Sequence, residues 1–301
     1  MAFKFLFGLP PHEKHTNNHL STKVFSSLSM DVKLNLKFKG NWQFIRLLLD
    51  ILLLAALLGC VRKFFKYWKK IVPGKPRGFF CNDESLMYPY VEVSMDASVF
   101  IVALSLPLIV FVLIEFCKWW GEQGSECKIR WSHFWPLYNA VRYFLFGFEA
   151  QSLLTKMAKA TLGRLRPHFF ALCQPTFGER NATCENERNQ TIWAYHTDYT
   201  CAPRTPIEVS SSFFSGHAAR AFYGLVFLAL YLQLQSAKER KLMFLTNTLL
   251  RSLGQLLCLM FALVSSYLRV VEHHHHWSDV VAGSLVGSAV AYFLIRNAKS
   301  T

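Results

Sequence analysis

Apolar stretches of about 20 residues recur along this chain, and each is long enough to cross the hydrocarbon core of a bilayer as a helix. The clearest are residues 44–61 and 97–116. Four more complete a predicted set of six: residues 137–155, which carry Arg142 and Glu149, and residues 213–234, 249–268 and 280–295. We therefore predict an all-α integral membrane bundle of six transmembrane helices.

The composition agrees with a multipass membrane protein. Hydrophobic residues make up 52% of the 301 positions, and the mean hydropathy is +0.21, which is too apolar for an ordinary soluble domain of this size. The formal net charge is +14. Lys and Arg cluster between the apolar runs and at their ends, so the charge favours a membrane surface with anionic lipids over nucleic acid.

Three regions are expected. Residues 1–41 lack an apolar core with a cleavage site and are predicted to be a flexible cytoplasmic tail. Residues 42–296 form the transmembrane domain, and residues 297–301 form a short cytoplasmic tail. An even number of spans places both termini on one side of the membrane. The loops between the first and second, third and fourth, and fifth and sixth spans then lie on the other side, together with the three clusters described below.

The long polar loop before the fourth span carries evidence on sidedness. It contains two glycosylation sequons, at Asn181 and Asn189, and the candidate disulfide pair Cys184 and Cys201, whereas Cys173 either pairs elsewhere or stays free. These features favour an extracellular or lumenal loop. A basic run at residues 62–77 argues for the opposite orientation by the positive-inside rule, so the sequence leaves the two readings in conflict.

The first chemically informative cluster is K-A-T-L-G-R-L-R-P at residues 159–167. Lys159 and Arg166 are seven residues apart, or two helical turns, so we predict both cations on one face of a helix at the membrane boundary. Arg offers a planar fork to phosphate oxygens, Lys adds a compact charge, and Pro167 is predicted to end the helix. Taken alone, these cations also fit ordinary snorkelling at the end of a span.

The second cluster, Ser215-Gly216-His217, stands where the polar loop gives way to the fourth span. We predict Ser215 and Gly216 at a helix N-terminus, where backbone N–H groups and the helix dipole favour an anion and Gly216 permits close approach. His217 would then exchange protons beside a bound phosphate near neutral pH. An N-cap with an interfacial polar side chain fits the same residues, and the sequence leaves both interpretations open.

The third cluster places Arg269, His275 and Asp279 directly before the last apolar run. If this segment is helical, residues four apart share a face, so Asp279 can hold one ring nitrogen of His275 and present the other as a nucleophile toward phosphorus. The histidine run at residues 273–276 does not indicate a metal site, because consecutive helical side chains point about 100° apart. We predict no metal ligands and no cofactor.

Together these segments resemble the lipid phosphate phosphatases of the phosphatidic acid phosphatase type 2 superfamily, whose motifs run K-x6-R-P, P-S-G-H and S-R-x5-H-x3-D. The likeness extends to R-G-F-F-C-N-D-E-S-L-M-Y-P-Y at residues 77–90, F-L-F-G at 144–147 and G-R-L-R-P-H-F at 163–169. It covers residues 41–295 in all. The chain is similar in these segments to insect Wunen-type and vertebrate lipid phosphate phosphatases.

The resemblance implies a metal-independent, six-helix hydrolase with its site on the extracellular or lumenal face. Its implied substrates are phosphatidate, lysophosphatidate, sphingosine 1-phosphate or ceramide 1-phosphate. It implies that His275 forms a phosphohistidine, that Asp279 orients this ring and that His217 is the general acid. The implied phosphate-binding positions are the other motif residues: Lys159, Arg166, Ser215, Gly216 and Arg269.

Two positions depart from the family pattern. Phe214 stands in place of Pro, and Leu268 stands in place of the Ser before Arg. Loss of a hydroxyl bonded to phosphate costs about 1–3 kcal/mol, so we expect reduced activity or a shifted substrate preference. Two alternatives follow: a weakly active or noncatalytic protein that binds lipid phosphates, and a phosphotransferase that uses the same histidine.

The expected partners are lipid phosphates in the bilayer and the membrane itself, with no nucleic acid. The resemblance also implies self-association. We expect residence in the plasma membrane with an extracellular site, and an internal membrane with a lumenal site is the second reading.

Overall fold

A computed structural model describes residues 42, 44–60, 63, 77–92, 94, 96–122, 131–178, 182–184, 194–202, 207–238 and 242–298. The chain divides into two units, Met1–Ile51 and Leu52–Thr301. The predicted N-terminal tail and the sequons at Asn181 and Asn189 lie outside the described residues.

The described residues are mainly helical. Residues 44–60 form α1. The other helices are α2 (Asp96–Glu122), α3 (Trp131–Leu162), α4 (Phe169–Cys173), α5 (Gly216–Lys238), α6 (Met243–Thr246), α7 (Thr248–Val271) and α8 (Trp277–Ala298). Short 3-10 turns cover Glu84–Leu86 and Ile207–Ser210, and two-residue strands are β1 (Phe79–Phe80), β2 (Thr176–Phe177), β3 (Tyr195–His196) and β4 (Tyr199–Thr200).

Four helices in the described part of the chain are long and apolar enough to cross a membrane: Ala97–Gly121, Gly216–Lys238, Thr248–Val271 and Trp277–Ala298. They match four of the six predicted spans. The predicted third span lies within α3, a helix that carries Arg142, Glu149 and Lys156, and α1 has 17 residues in its continuous helical run. The all-α membrane bundle is confirmed, and the count of six is not. Helix α8 also runs to Ala298, two residues into the predicted C-terminal tail.

Helix α5 is the central helix of the unit Leu52–Thr301. It packs against α2, α3, α7 and α8. In its most apolar window 61% of the residues are buried, compared with 28–33% in the other three candidate spans, so α5 is enclosed by its neighbours. Aromatic rings fill the space between α2, α3 and α5, with Phe144 5.3 Å from Phe227 and 5.7 Å from Phe111 between ring centroids.

Two glycines of α8 bring its backbone against α5. A Cβ atom at Gly283 would lie 2.5 Å from the carbonyl oxygen of Ser215, and one at Gly287 would collide with the carbonyl oxygen of Ala219. Only glycine therefore permits this approach.

The loops at one end of the bundle fold into a layer held by short antiparallel pairs and two disulfides. We call residues 77–92, 163–178 and 194–202 the loop layer. Strand β1 pairs with β3, and β2 pairs with β4. Phe79 is buried at the centre of the layer, with its ring centroid 5.4 Å from that of Phe169 and 5.1 Å from that of Tyr199.

The disulfides differ from the sequence prediction. Cys81 bonds to Cys184, and Cys173 bonds to Cys201. The predicted pairing of Cys184 with Cys201 is therefore wrong, because each sulfur has another partner. The two residues share one polar loop in the sequence, but the pairing of β1 with β3 brings Cys81, from the preceding loop, into the same layer.

Candidate active site

The three sequence clusters meet where the helices enter the loop layer. Arg166 follows the end of α3, Ser215 precedes α5, and His275 lies in the connection between α7 and α8. The backbone N–H of Ser215 donates to the carbonyl oxygen of Asp279 at 3.0 Å, which joins the second cluster directly to the third. The predicted convergence of the clusters on one side of the bundle is confirmed.

The first cluster adopts a different backbone from the predicted one. Helix α3 ends at Leu162, and Gly163 follows with a φ of +54°, the left-handed conformation that glycine favours at a helix C-terminus. Lys159 is therefore in the last helical turn, whereas Arg166 is beyond the helix and its N–H donates to Val209 O at 2.8 Å. The prediction that Pro167 ends the helix is wrong, because the glycine ends it earlier.

Ser215 and Gly216 lie at a helix N-terminus, as predicted. Helix α5 begins at Gly216, and the hydroxyl of Ser215 accepts from the N–H of Ala218 at 3.4 Å in the manner of an N-cap. Ser215 and Gly216 are buried, and the half-buried His217 follows in the first turn. The capping interpretation and the anion-site interpretation are therefore compatible, since the cap arranges the helix start that an anion would use.

Arg269 is fully enclosed at the end of α7. Its exposed fraction is 1%, and its Nη2 lies 2.8 Å from Oε2 of Glu272. The backbone N–H groups of His274 and His275 both donate to the carbonyl oxygen of Arg269, at 3.0 and 3.1 Å. His273, which lies between Arg269 and these two residues in the chain, adopts a φ of +56°. These bonds fold residues 269–275 into a tight turn, and α8 starts only at Trp277.

His275 and Asp279 lie close together without sharing a helix. Helix α8 begins two residues after His275, so the condition of a helical segment is not met. Nδ1 of His275 is nevertheless 3.8 Å from Oδ2 of Asp279, which is an electrostatic contact rather than a formed hydrogen bond. Both side chains are buried. The pair is assembled by the turn rather than by helical periodicity.

Asp279 is held by groups that the sequence did not single out. Oδ1 accepts from Nη1 of Arg164 at 2.6 Å, and Oδ2 accepts from the hydroxyl of Ser212 at 2.5 Å and from the N–H of His276 at 3.1 Å. Arg164 stands inside the first cluster, and its presence in R-L-R-P was an available signal. Ser212 lies in a plain serine run that gives no such signal.

The other histidines of the run have separate structural roles. Nε2 of His274 lies 2.8 Å from Val91 O, and its Nδ1 lies 3.5 Å from Nη1 of Arg166. If Nε2 carries the proton and donates to Val91, Nδ1 is left as an acceptor for Arg166. His276 pairs through Nε2 with Leu165 O at 3.1 Å. These contacts fix the segments on either side of His275.

The segment that enters α2 lies over the turn and is here called the strap (residues 88–92 and 94). The ring of Tyr88 stacks on that of His273 at 4.4 Å. At the other end of the strap, the N–H of Ser94 donates to Oε1 of Glu272 at 3.1 Å, and the hydroxyl of Ser94 donates to the same oxygen. The strap therefore connects the start of α2 to the residues that directly precede His275 in the turn.

Burial sets the protonation state of the site histidines. It lowers the pKa of His275 well below the ordinary value of 6.5. Asp279 opposes this shift, and the positive charges of Arg166 and Lys159 add to it. Burial also lowers the pKa of His274 and His276. A neutral imidazole at His275 is the form with a lone pair available for attack on phosphorus.

Metal-ligating side chains do not gather at this place. Within the residues that the structure describes, no three His, Cys, Asp or Glu side chains are grouped to hold an ion. The positive groups that surround the site are instead Lys159, Arg164, Arg166 and Arg269. They can neutralise an anion with two negative charges.

Comparison with known proteins gives a consistent family assignment. Residues 140–300 match the model of the PAP2 superfamily. The chain is 35% identical over 238 residues to the Drosophila melanogaster "Putative phosphatidate phosphatase", covering 72% of this chain and 60% of that protein. No solved structure matches the chain.

Two mammalian relatives are matched over more of their length. Phospholipid phosphatase 2 of Bos taurus is 34% identical over 263 residues, which is 85% of this chain and 83% of the relative. Phospholipid phosphatase 1 of Mus musculus is 33% identical over 220 residues, which is 71% of this chain and 72% of the relative. The matched region of the superfamily contains all three clusters.

Proposed function

This chain belongs to the PAP2 superfamily, and from that membership and the geometry of the site we propose that it is a metal-independent lipid phosphate phosphohydrolase. The observation that carries the proposal is the position of His275. Its neutral ring is buried beside Asp279 and among the positive charges of Arg166 and Lys159. These positive charges would attract a phosphate monoester, and the ring of His275 would then be the nucleophile beside it.

In the first step, Nε2 of His275 attacks phosphorus and the bond to the lipid oxygen breaks. The guanidinium groups of Arg166 and Arg269, the amine of Lys159 and the start of α5 at Ser215 and Gly216 would carry the charge on the three remaining oxygens. These groups would bind the transition state more tightly than the bound substrate, because the charge on the oxygens develops there. Such a difference in binding is what accelerates the chemical step.

His217 is proposed to donate a proton to the departing alkoxide, which leaves as the lipid alcohol. In the second step, the same ring takes a proton from water, and the resulting hydroxide attacks the phosphohistidine to release inorganic phosphate and regenerate His275. The half-buried position of His217 in the first turn of α5 gives it access both to the site and to water.

Asp279 is proposed to stabilise the positive charge that His275 gains on phosphorylation. The separation of 3.8 Å between Nδ1 and Oδ2 must shorten by about 1 Å to reach an ordinary hydrogen bond. Such contacts often tighten only when the substrate is bound. Oδ2 already accepts from Ser212 and His276, so the carboxylate is in place and the ring has to move toward it.

The proposed substrates are phosphatidate, lysophosphatidate, sphingosine 1-phosphate and ceramide 1-phosphate. A site at the ends of membrane helices lets a hydrocarbon tail stay in the bilayer while the headgroup reaches His275. We further propose six spans, with the loop layer on the extracellular or lumenal face, because its two disulfides favour an oxidising compartment. Residence in the plasma membrane and self-association remain predictions.

The test is release of inorganic phosphate from lysophosphatidate by purified protein in chelator, with His275→Ala beside wild type. We expect loss of nearly all turnover in the variant. The matched control is His273→Asn, since Asn tolerates the φ of +56° at that neighbouring position. Equal rates for wild type and His275→Ala would exclude the nucleophile assignment.

Two further readouts separate the alternatives. Rapid quenching with radiolabelled substrate should trap an acid-labile, alkali-stable label on His275, and binding without turnover would instead indicate a noncatalytic receptor. Addition of a small alcohol tests phosphotransfer. A new phosphate ester would show transfer to the alcohol, whereas inorganic phosphate alone identifies hydrolysis.

A further inference from the structure

An apolar groove lies in the unit Leu52–Thr301 on the membrane side of the candidate site. Helices α2 and α7 form its walls, α5 forms its floor, and α6 closes the end far from the loop layer. Its volume is about 840 Å³. Every residue that lines it is Val, Leu, Ile, Met, Phe, Cys or Gly, and its members include Leu106 of α2, Leu228 of α5 and Phe261 of α7.

The length of the groove matches one hydrocarbon chain. On α7 the lining runs from Gly254 to Val264, about 15 Å at a rise of 1.5 Å per residue, and on α2 it runs from Val102 to Cys117, about 22 Å. The groove is therefore between half and three quarters as long as the roughly 30 Å hydrocarbon core is thick, which is enough for one extended tail. Phe244 and Leu245 of α6 close the far end.

Leu268 connects the groove to the phosphate site. On α7 the lining positions Leu257, Phe261 and Val264 follow helical spacing, and the next position on the same face is Leu268, four residues later. Leu268 is half-buried and directly precedes the enclosed Arg269. A continuous apolar stripe therefore runs from the closed end of the groove to a phosphate-binding cation.

We propose that this groove is the subsite for the hydrocarbon tail of the substrate, that Leu268 joins it to the headgroup site, and that its closed end makes turnover depend on chain length. The proposal rests on the phosphatase function proposed above. It gives Leu268 a role in binding the tail, at a position where a serine would instead add a hydroxyl beside the phosphate.

We expect the selectivity for tail length to come from how well the tail fills the groove rather than from its transfer out of water. A tail that moves from lipid into the groove exchanges one apolar environment for another, so little free energy is gained for each methylene group. A hydrocarbon tail that fits packs closely against the walls of the groove. A tail longer than the groove has to bend or to withdraw its headgroup from His275.

Substitution of Gly254 with Leu tests the groove at its closed end. A Cβ atom there would have a ring atom of Phe244 at 3.7 Å as its nearest neighbour, so the new side chain extends into the groove without a backbone clash. We expect kcat/KM for oleoyl lysophosphatidate to fall at least about five-fold while that for octanoyl lysophosphatidate stays within about two-fold. The matched control is Gly121→Leu, because a Cβ atom at Gly121 meets nothing within 4 Å.

Leu268→Ser tests the connection to the phosphate site. A new hydroxyl that bonds phosphate would affect every substrate alike, so the informative quantity is the ratio of kcat/KM between oleoyl and octanoyl substrates. We expect this ratio to fall about three-fold. An unchanged ratio in both Leu268→Ser and Gly254→Leu would overturn the proposal, as would an equal loss for both chain lengths in Gly254→Leu.

A binding experiment separates this proposal from the enzymatic one. A nonhydrolysable oleoyl phosphonate with a photoreactive group at the chain end should label peptides from residues 242–264, whether or not the protein turns over. Labelling confined to the exposed Leu285 and Phe293 of α8 would place the tail outside the groove and overturn the proposal. Labelling of 242–264 without phosphate release from any substrate would retain the subsite and exclude the phosphatase.

Discussion

Arg164 donates from Nη1 to Oδ1 of Asp279 at 2.6 Å, and this carboxylate is completely buried. The same nitrogen lies 2.8 Å from the hydroxyl of Ser278. Arg164 thus binds the group that is proposed to orient His275. It is a positioning residue that acts through Asp279.

Replacement of Arg164 by Gln should lower kcat about 10–100-fold, the usual cost of losing a residue that orients a catalytic group, with KM for lysophosphatidate changed by less than about three-fold. Arg164→Lys should recover part of kcat, because the charge remains. Arg77→Gln is the control, since Arg77 is an exposed arginine of the same loop layer, whereas Arg164 is half-buried. A large rise in KM with kcat intact would show that Arg164 binds phosphate instead.

Gly283→Ala should disable the enzyme by moving α8. The added Cβ atom would lie 2.5 Å from the carbonyl oxygen of Ser215, and backbone atoms cannot yield as a flexible side chain would. We expect a loss of about 1–3 kcal/mol in the free energy of unfolding together with a fall in kcat. Gly254→Ala, where the nearest atom is 3.7 Å away, should keep the wild-type melting temperature. Equal stability of the two variants would contradict the close packing.

Non-reducing peptide mapping should recover Cys81 linked to Cys184 and Cys173 linked to Cys201. Cys81→Ser should destabilise the loop layer by about 2–5 kcal/mol, because the bond closes a long segment of chain. Thermal melting with and without reductant measures this, and Cys117→Ser, which removes a free thiol, is the control. A peptide that joins Cys184 to Cys201 would refute the assignment.

Stability should fall in acid, and His168 is one of the buried histidines that cause this, together with His274, His275 and His276. Burial lowers the pKa of His168 from 6.5 to about 4, so the folded state holds the neutral ring while the unfolded chain binds a proton more readily. Its contribution is complete above pH 6.5 and is lost as the pH falls toward 4. The loss amounts to about 3 kcal/mol.

Melting temperatures measured across this pH range provide the test. His168→Asn should lower stability at pH 7 and flatten the decline in acid. His196→Asn is the matched histidine control within the loop layer. A decline as steep in His168→Asn as in wild type would assign the acid sensitivity to other groups.

The sequence predicted those parts of the site that depend on local pattern. The start of α5 at Ser215 and Gly216 followed from the polar loop, the glycine and the apolar run. Four of the predicted spans likewise followed from apolar runs of sufficient length. Each of these features depends on a short continuous stretch of the chain, so a single sequence is enough to predict it.

Features that depend on the tertiary arrangement were missed or predicted wrongly. Ser212 reaches Asp279 across 67 positions, and Cys81 reaches Cys184 across 103. No periodicity encodes such contacts. The end of α3 was placed at Pro167 because proline stops helices, but Gly163 supplied an earlier C-terminus. His275 was placed on a helix, whereas a turn with His273 at positive φ carries it.

The contact between α5 and α8 also has a consequence for inhibitor design. The N–H of Ser215 is bonded to the carbonyl of Asp279, and the two helices leave no room for a side chain at Gly283 or Gly287. This half of the proposed active site is therefore a closely packed template. A phosphate mimic can therefore be shaped to it directly, and any adjustment to different headgroups has to come from the end of α3 and the strap.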